Sequence, residues 1–233
     1  MLEMTVFTSC FANEQSERNH HIVNFKKFNI LQKKSLSGTK EAIFDVFLEK
    51  ASTVGVENIG VRGIAKEVGI AFSSISNHFE TKGALLQFAY DYYAEHRYDS
   101  LKPIDEMKKL IETASPEEFL QTISYTFESS DQKKYVRMIL ITKIIYMRLF
   151  SDPVANALFI EGNKDNAKYL IEVLKHGMSI GRIAPDLDIE TFADVLIGSR
   201  VIMGVKAFAT PEYTPDQLDD EKRILALLAQ ILI

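Results

Sequence analysis

The stretch Gly60–Phe79, GVRGIAKEVGIAFSSISNHF, constrains this chain more than any other. In Val61–Val68, the residues Ile64, Ala65 and Val68 fall on one helical face. Gly69 supplies the turn that follows, since glycine enters the left-handed backbone region without a Cβ penalty. The spacing predicts a second helix over Phe72–Phe79, with Ile75 and Phe79 four apart on its buried side. Ala65 must be small because that helix crosses close over it. A small residue, a glycine four later and an aliphatic six after that (Ala65, Gly69, Ile75) form the packing pattern of a DNA-binding helix-turn-helix. An ordinary helical corner is the alternative.

Phe72, Ser73, Ser76 and Asn77 then face outward, with Ser74 and His78 beside them and Arg62 on the preceding helix. Serine and asparagine suit base edges or phosphates, and an asparagine grips adenine through two bonds. Phe72 either presses on a thymine methyl or sugar, or closes the rim of the core. His78 is either a packed ring or a phosphate contact. Thr81 caps the next helix and places Lys82 in its first turn, where the helix dipole disfavours a cation. A phosphate partner explains that placement.

The flanks sharpen the reading. Upstream, Ile43, Phe44, Phe47, Leu48 and Ala51 make one apolar face of a helix over about 39–54, stopped by Gly55. Downstream, a helix from Lys82 to about 100 carries the stripe Leu85, Phe88, Ala89, Tyr92, Tyr93 and His96. With Ile64-Ala65, Val68-Gly69-Ile70, Ile75, Phe79, Lys82 and Ala84-Leu85-Leu86 in place, the sequence resembles the TetR (tetracycline-repressor) family of transcriptional regulators over about Thr39–Leu86. It departs from the family's pattern at Gly60 for a threonine, Ala71 for a serine, and Ser76 and His78 for an aromatic pair. The resemblance implies phosphate contact by Lys82, a dimer reading a palindromic operator on double-stranded DNA, and a ligand pocket in the body.

The body reads as all-helical. Ser115-Pro116-Glu117-Glu118 is a capping box opening a helix over about 116–128. Others follow over about 133–150 and from Pro153 to about 180, ending at Gly181, with Gly162 and Gly177 as possible bends. Asp188 caps 189–209, and Thr214-Pro215 opens the last, 215–232. Those last two helices are apolar over more than one face, so each is covered on two sides. Either the monomer buries them or two chains share them; a homodimer through about 189–209 and 215–232 is expected. By resemblance the helices over about 104–180 enclose the pocket. Tyr125, Arg137, Lys143 and Tyr146 are lining candidates by type, as are Arg148 and Arg200; a surface or capped-core place is the simpler reading of each. The aromatic and methionine content suits a hydrophobic effector or a plain core.

The domains are expected to be a basic extension over 1–37, a DNA-binding head over 38–97 and a ligand-binding and dimerisation body over 98–233. Net charges over these are +2, −2 and −5, so the head is not a strongly basic surface. Arg18 to Lys40 holds six cations and no acid, either a solvated leader or an arm touching phosphates. A single cysteine, Cys10, excludes an internal disulfide and a cysteine metal cluster, and fits a reducing compartment. No membrane span or secretory leader is expected. The five histidines show no metal-ligand spacing, and no phosphate loop or nucleophile elbow is present, so no cofactor, metal or catalytic residue is expected. A cytoplasmic, nucleoid-associated bacterial regulator results, most simply a repressor released from its operator by a small hydrophobic molecule. The alternative is a small-molecule or protein-binding helical dimer whose helix-turn-helix no longer reads an operator.

Overall fold

In the computed structural model, residues 38–99, 101–124, 131–209 and 223–232 are described. The extension over 1–37, Tyr125 and residues 210–222 lie outside them. Among the described residues the secondary structure is helical, without strands.

The head is built from α1 (Gly38–Val54), a 3-10 turn (Val56–Asn58), α2 (Val61–Val68), α3 (Phe72–Ser76) and the start of α4 (Lys82–His96). Ile43, Phe44, Phe47 and Leu48 of α1 are fully buried, and Ile64, Ala65, Ile75 and Phe79 close over them. Gly55 leaves α1 at φ 82°. Gly69 ends α2 at φ 75°, while the Ile70 N–H donates to Ala65 O at 3.0 Å and the Gly69 N–H to Lys66 O at 3.3 Å. That pair of bonds is a Schellman motif, and the αL residue it demands is why glycine stands there.

The helix α3 is shorter than its spacing predicts. Ala71 offers no side-chain cap at its start. At its end the N–H groups of His78 and Phe79 converge on Ile75 O, at 2.9 and 2.8 Å, tightening the last turn and closing it. Phe79 then packs edge-on against Phe88 of α4 (centroids 5.4 Å), and Phe88 against Phe44 of α1 (4.8 Å). This aromatic chain fixes the angle at which α3 is presented.

The body comprises α5 (Ile104–Thr113), α6 (Pro116–Ser124), α7 (Gln132–Arg148), α8 (Pro153–Ser179) and α9 (Ile189–Ala209), with residues 223–229 helical again. The caps predicted at Ser115, Asp152 and Asp188 hold, and Thr214-Pro215 lies outside the described residues. Ser115 and Glu118 exchange hydrogen bonds at 2.9 and 3.2 Å, and Asp152 accepts from Val154 N and Ala155 N. Asp188 accepts from Thr191 N, and Gly181 at φ 73° closes α8 with a second Schellman pair. A Cβ on Gly177 would lie 2.7 Å from Ile111 Cδ1 and 2.8 Å from Ile183 Cδ1, so the glycine lets α5 settle onto α8. Phe119, Leu120, Val173, Leu174, Ala193 and Leu196 form the centre of the body core.

Candidate nucleic-acid interface

The face of α3 away from Ile75 is open. Ser73, Ser76, Asn77 and His78 are exposed, Ser74 is half-buried, and Phe72 keeps 50 % of its surface. Half exposure fits either of the two readings of Phe72, and the Arg62 guanidinium of α2 lies 5.6 Å from its ring centroid, a cation–π arrangement that sets a positive charge beside the helix. Seven of the eight residues singled out from the sequence for DNA contact thus lie on one connected surface around α2 and α3.

Lys82 differs. It is half-buried, and its Nζ donates to Glu57 O in the 3-10 turn at 3.0 Å. A backbone carbonyl thus explains the lysine at this disfavoured helix position, and ties the start of α4 to the end of the α1 segment. An ammonium has three donors, so phosphate contact is still open to it. Thr81 accepts from Ala84 N at 3.0 Å and caps α4 as its position predicts.

The negative sum of the head overstates what a duplex meets. Arg137 of α7 lies within hydrogen-bond distance of Glu41 and Asp45, and Arg148 of α7 pairs with Glu57. Lys50 pairs with Glu67 inside the head. The side-chain bond from Arg137 holds the Glu41 carboxyl below the usual range, and the backbone bond at Glu57, with Arg148, does the same there. Two body cations therefore neutralise head acids and leave Arg62 less opposed.

Of the residues picked for the pocket, Tyr146 is half-buried among aromatic rings. It packs edge-on against Phe159 of α8 (5.6 Å) and Phe208 of α9 (5.5 Å), and burial raises its phenol to about 12. A Cβ on Gly204 would come within 3.3 Å of its ring, so the close approach that this glycine permits is inside the protomer, between α9 and α7. Lys143 is half-buried one turn before it. Arg137 is occupied elsewhere, donating to Asp45 and Glu41 on α1, and Arg148 to Asp152 and Glu57. Tyr125 lies outside the described residues. Sequence reasoning passed over Arg97 at the end of α4, whose guanidinium is largely buried against α8; a terminal arginine carries no periodicity signal.

An apolar stripe remains uncovered on α9. Val195, Ile202 and Val205 are 51, 59 and 49 % exposed, and Gly198 between them faces open space. Leu227 and Ile231 are likewise exposed. Among the described residues no cluster of three or more His, Cys, Asp or Glu could hold a metal, and no helix is long and apolar enough to cross a membrane.

No protein-family profile matches the sequence, and no curated protein is similar to it. Solved structures do match. A TetR transcription regulator from Haloarcula marismortui has a TM-score of 0.58 at 17 % identity, over 83 % of this chain and 97 % of that one. The ketosteroid transcriptional regulator KstR2 of Mycobacterium tuberculosis has 0.55 at 22 %, over 84 % and 95 %. A regulator from Saccharomonospora viridis, solved in complex with choline, has 0.55 at 15 %, over 82 % and 95 %. The likeness is one of fold, and that fold is the one TetR-family regulators adopt.

Proposed function

We propose that this chain is a DNA-binding transcriptional regulator, acting as a homodimer and answering to a small molecule held in its body. One observation carries the reading: in a chain with this fold, Phe72, Ser73, Ser76 and Asn77 project from α3 while Ile75 and Phe79 anchor it. Arg62, Ser74, His78 and Lys82 complete the proposed contact set. The domains of this reading are an extension over 1–37, a head over 38–97 and a body over 98–233.

The uncovered stripe on α9 supports pairing of two chains through α9 and the C-terminal helix. A two-fold axis there would set two copies of α3 about one helical turn apart, the spacing a palindrome demands. The half-buried aromatic set around Tyr146, with Lys143 nearby, supports an effector chamber among α4, α7, α8 and α9. The M. tuberculosis and S. viridis proteins, one named for a ketosteroid and the other bound to choline, lend weight to a small-molecule role for a body of this shape. The effector would favour a state whose heads no longer match the operator, which needs only unequal affinity for two conformations and makes the chain a repressor.

A second reading keeps the dimer and drops the operator. The missing side-chain caps at Gly60 and Ala71 favour it, since both helices of the motif start unsupported. Fluorescence anisotropy on palindromic duplexes from the DNA flanking the gene separates the two. The regulator binds one duplex at nanomolar concentration, and Asn77→Ala weakens that duplex more than unrelated DNA. Equal, salt-sensitive binding to every duplex supports the second reading.

A further inference from the structure

Phe72 is the first residue of α3, and the N-terminal residues of a recognition helix are the ones that meet base edges. Among the described residues its ring lies against the exposed Arg62 guanidinium, whereas the aromatic chain of the head core runs through Phe44, Phe88 and Phe79. Ile75 and Phe79 take the buried side of the segment, so Phe72 shares the solvent side with Ser73, Ser76, Asn77 and His78. Among the described residues the side chains of those four polar neighbours have no hydrogen-bond partner, so they too are available to a ligand.

This surface lacks the usual reader of guanine. Residues 72–79 contain neither lysine nor arginine, and the commonest specific contact to guanine is a bidentate one from those two residues. The nearby cations are placed for other contacts. Lys40 Nζ lies 4.5 Å from the Phe88 ring centroid, and Lys82 donates to Glu57 O. Arg62 and Lys66 stand on α2, the helix that crosses the phosphate backbone in a helix-turn-helix. What α3 offers first is therefore an apolar ring. In the major groove the one apolar marker is the 5-methyl group of thymine, which phenylalanine can contact. Cytosine has an amino donor there and no methyl, and either purine presents its N7 acceptor, which a phenyl ring leaves unsatisfied.

We propose that Phe72 determines the operator sequence at one position in each half-site, by packing on the 5-methyl group of a thymine. This rests on the reading of the chain as a DNA-binding regulator. The cation–π contact favours the observed placement of the ring, so Arg62 acts as a positioning residue for it.

The test uses the purified full chain and the duplex it enriches from a randomised pool. Each thymine of the half-site is replaced in turn by deoxyuridine, which deletes the methyl and keeps every hydrogen-bonding group. Fluorescence anisotropy should find one position per half-site where loss of the methyl weakens binding about fourfold, and about fifteenfold when both half-sites are altered. Phe72→Ala then binds the thymine and uracil duplexes equally, and Phe72→Leu keeps part of the difference. A photocrosslink needs no variant: 5-iododeoxyuridine at that position, irradiated in complex with the unaltered protein, joins to Phe72, as mass spectrometry reads it. An enriched duplex without a methyl-sensitive thymine overturns the proposal. So does a sensitivity that persists in Phe72→Ala, or a crosslink to another residue. Each of those results leaves the regulator standing, because an operator has been selected. A pool that stays random removes the regulator and the thymine contact together.

Discussion

Arg137 of α7 donates to both carboxylate oxygens of Asp45 on α1, through Nε at 2.7 Å and Nη2 at 2.9 Å, and through Nη2 to Glu41 at 2.6 Å. Arg137 is only 8 % exposed, and its partners lie more than ninety residues away in sequence. With Arg148 gripping Glu57, α7 holds the head at both ends of the α1 segment. The head is thus attached to the body through α7 as well as through the chain connection along α4.

Removing the arginine and removing its partners have unequal effects. Arg137→Met leaves two acids that reach water and costs about 1–3 kcal/mol. The pair Glu41→Gln and Asp45→Asn strands a buried cation and costs more, about 3–5 kcal/mol. Urea unfolding of the two variants orders them, and equal losses would show that burial of the guanidinium contributes nothing.

The same contacts set the acid limit of stability. Glu41 is held low by Arg137, and Glu57 by its backbone bond and Arg148. Burial opposes the Asp152 carboxylate, but bonds from Tyr90 and Arg148 still bring it below its ordinary value. A carboxyl with a depressed folded-state pKa contributes stability that is fully present above its unfolded pKa, about 4, and is lost as pH falls through the folded value. Thermal melts should therefore be flat above about pH 5 with respect to these groups and fall steeply below pH 4. In Arg137→Met, Glu41 returns toward its ordinary value, so the melting temperature is lower at neutral pH and its drop on acidification is shallower.

Ala71 occupies the cap position of α3 with extended backbone (φ −65°, ψ 143°) and no side-chain bond. The Ser74 N–H already donates to Ala71 O at 2.9 Å, so a serine at that position supplies its acceptor to the Ser73 N–H. Ala71→Ser is expected to stabilise the protein by about 0.5–1 kcal/mol, and Thr81→Ala to destabilise it by about 1 kcal/mol. Chemical denaturation measures both; no gain from the serine would mean that α3 is already held by tertiary contacts.

The exposed stripe on α9 predicts an assembly change without unfolding. Ile202→Glu sets a charge amid Val195, Gly198 and Val205, and turns a dimer into a monomer at micromolar concentration. The helical circular dichroism stays unchanged, since Ile202 is 59 % exposed in the protomer. Sedimentation velocity is the readout, and a dimer that survives the substitution places the interface elsewhere.

Much of this architecture could be read from residue spacing. Turn glycines and capping side chains act within a few residues of themselves, which is why Gly55, Gly69, Thr81, Ser115 and Gly181 foretell the helix ends they make. The length of α3 is less legible, because Phe88 of α4 draws Phe79 out of the helix it would continue. The spacing marks Ile104–Thr113 only as part of a longer helical stretch, although Pro103 and the acids Asp105 and Glu106 stand at its start. Side-chain partners over long separations were not legible at all. Arg137 has the composition of a pocket residue, and only the fold shows that Asp45 holds it. Periodicity tells which side of a helix is covered but not whether a buried donor finds an acceptor, so Arg97 drew no attention from the sequence.

The account stands on α3 reading DNA from two paired chains, and selection from a randomised duplex pool by the purified protein tests it most directly. It predicts enrichment of one palindrome with half-sites about one helical turn apart, bound by two chains, and loss of that enrichment in Phe72→Ala/Asn77→Ala. A pool that stays random after repeated rounds at moderate salt, or a selected site that the double variant binds equally well, contradicts it.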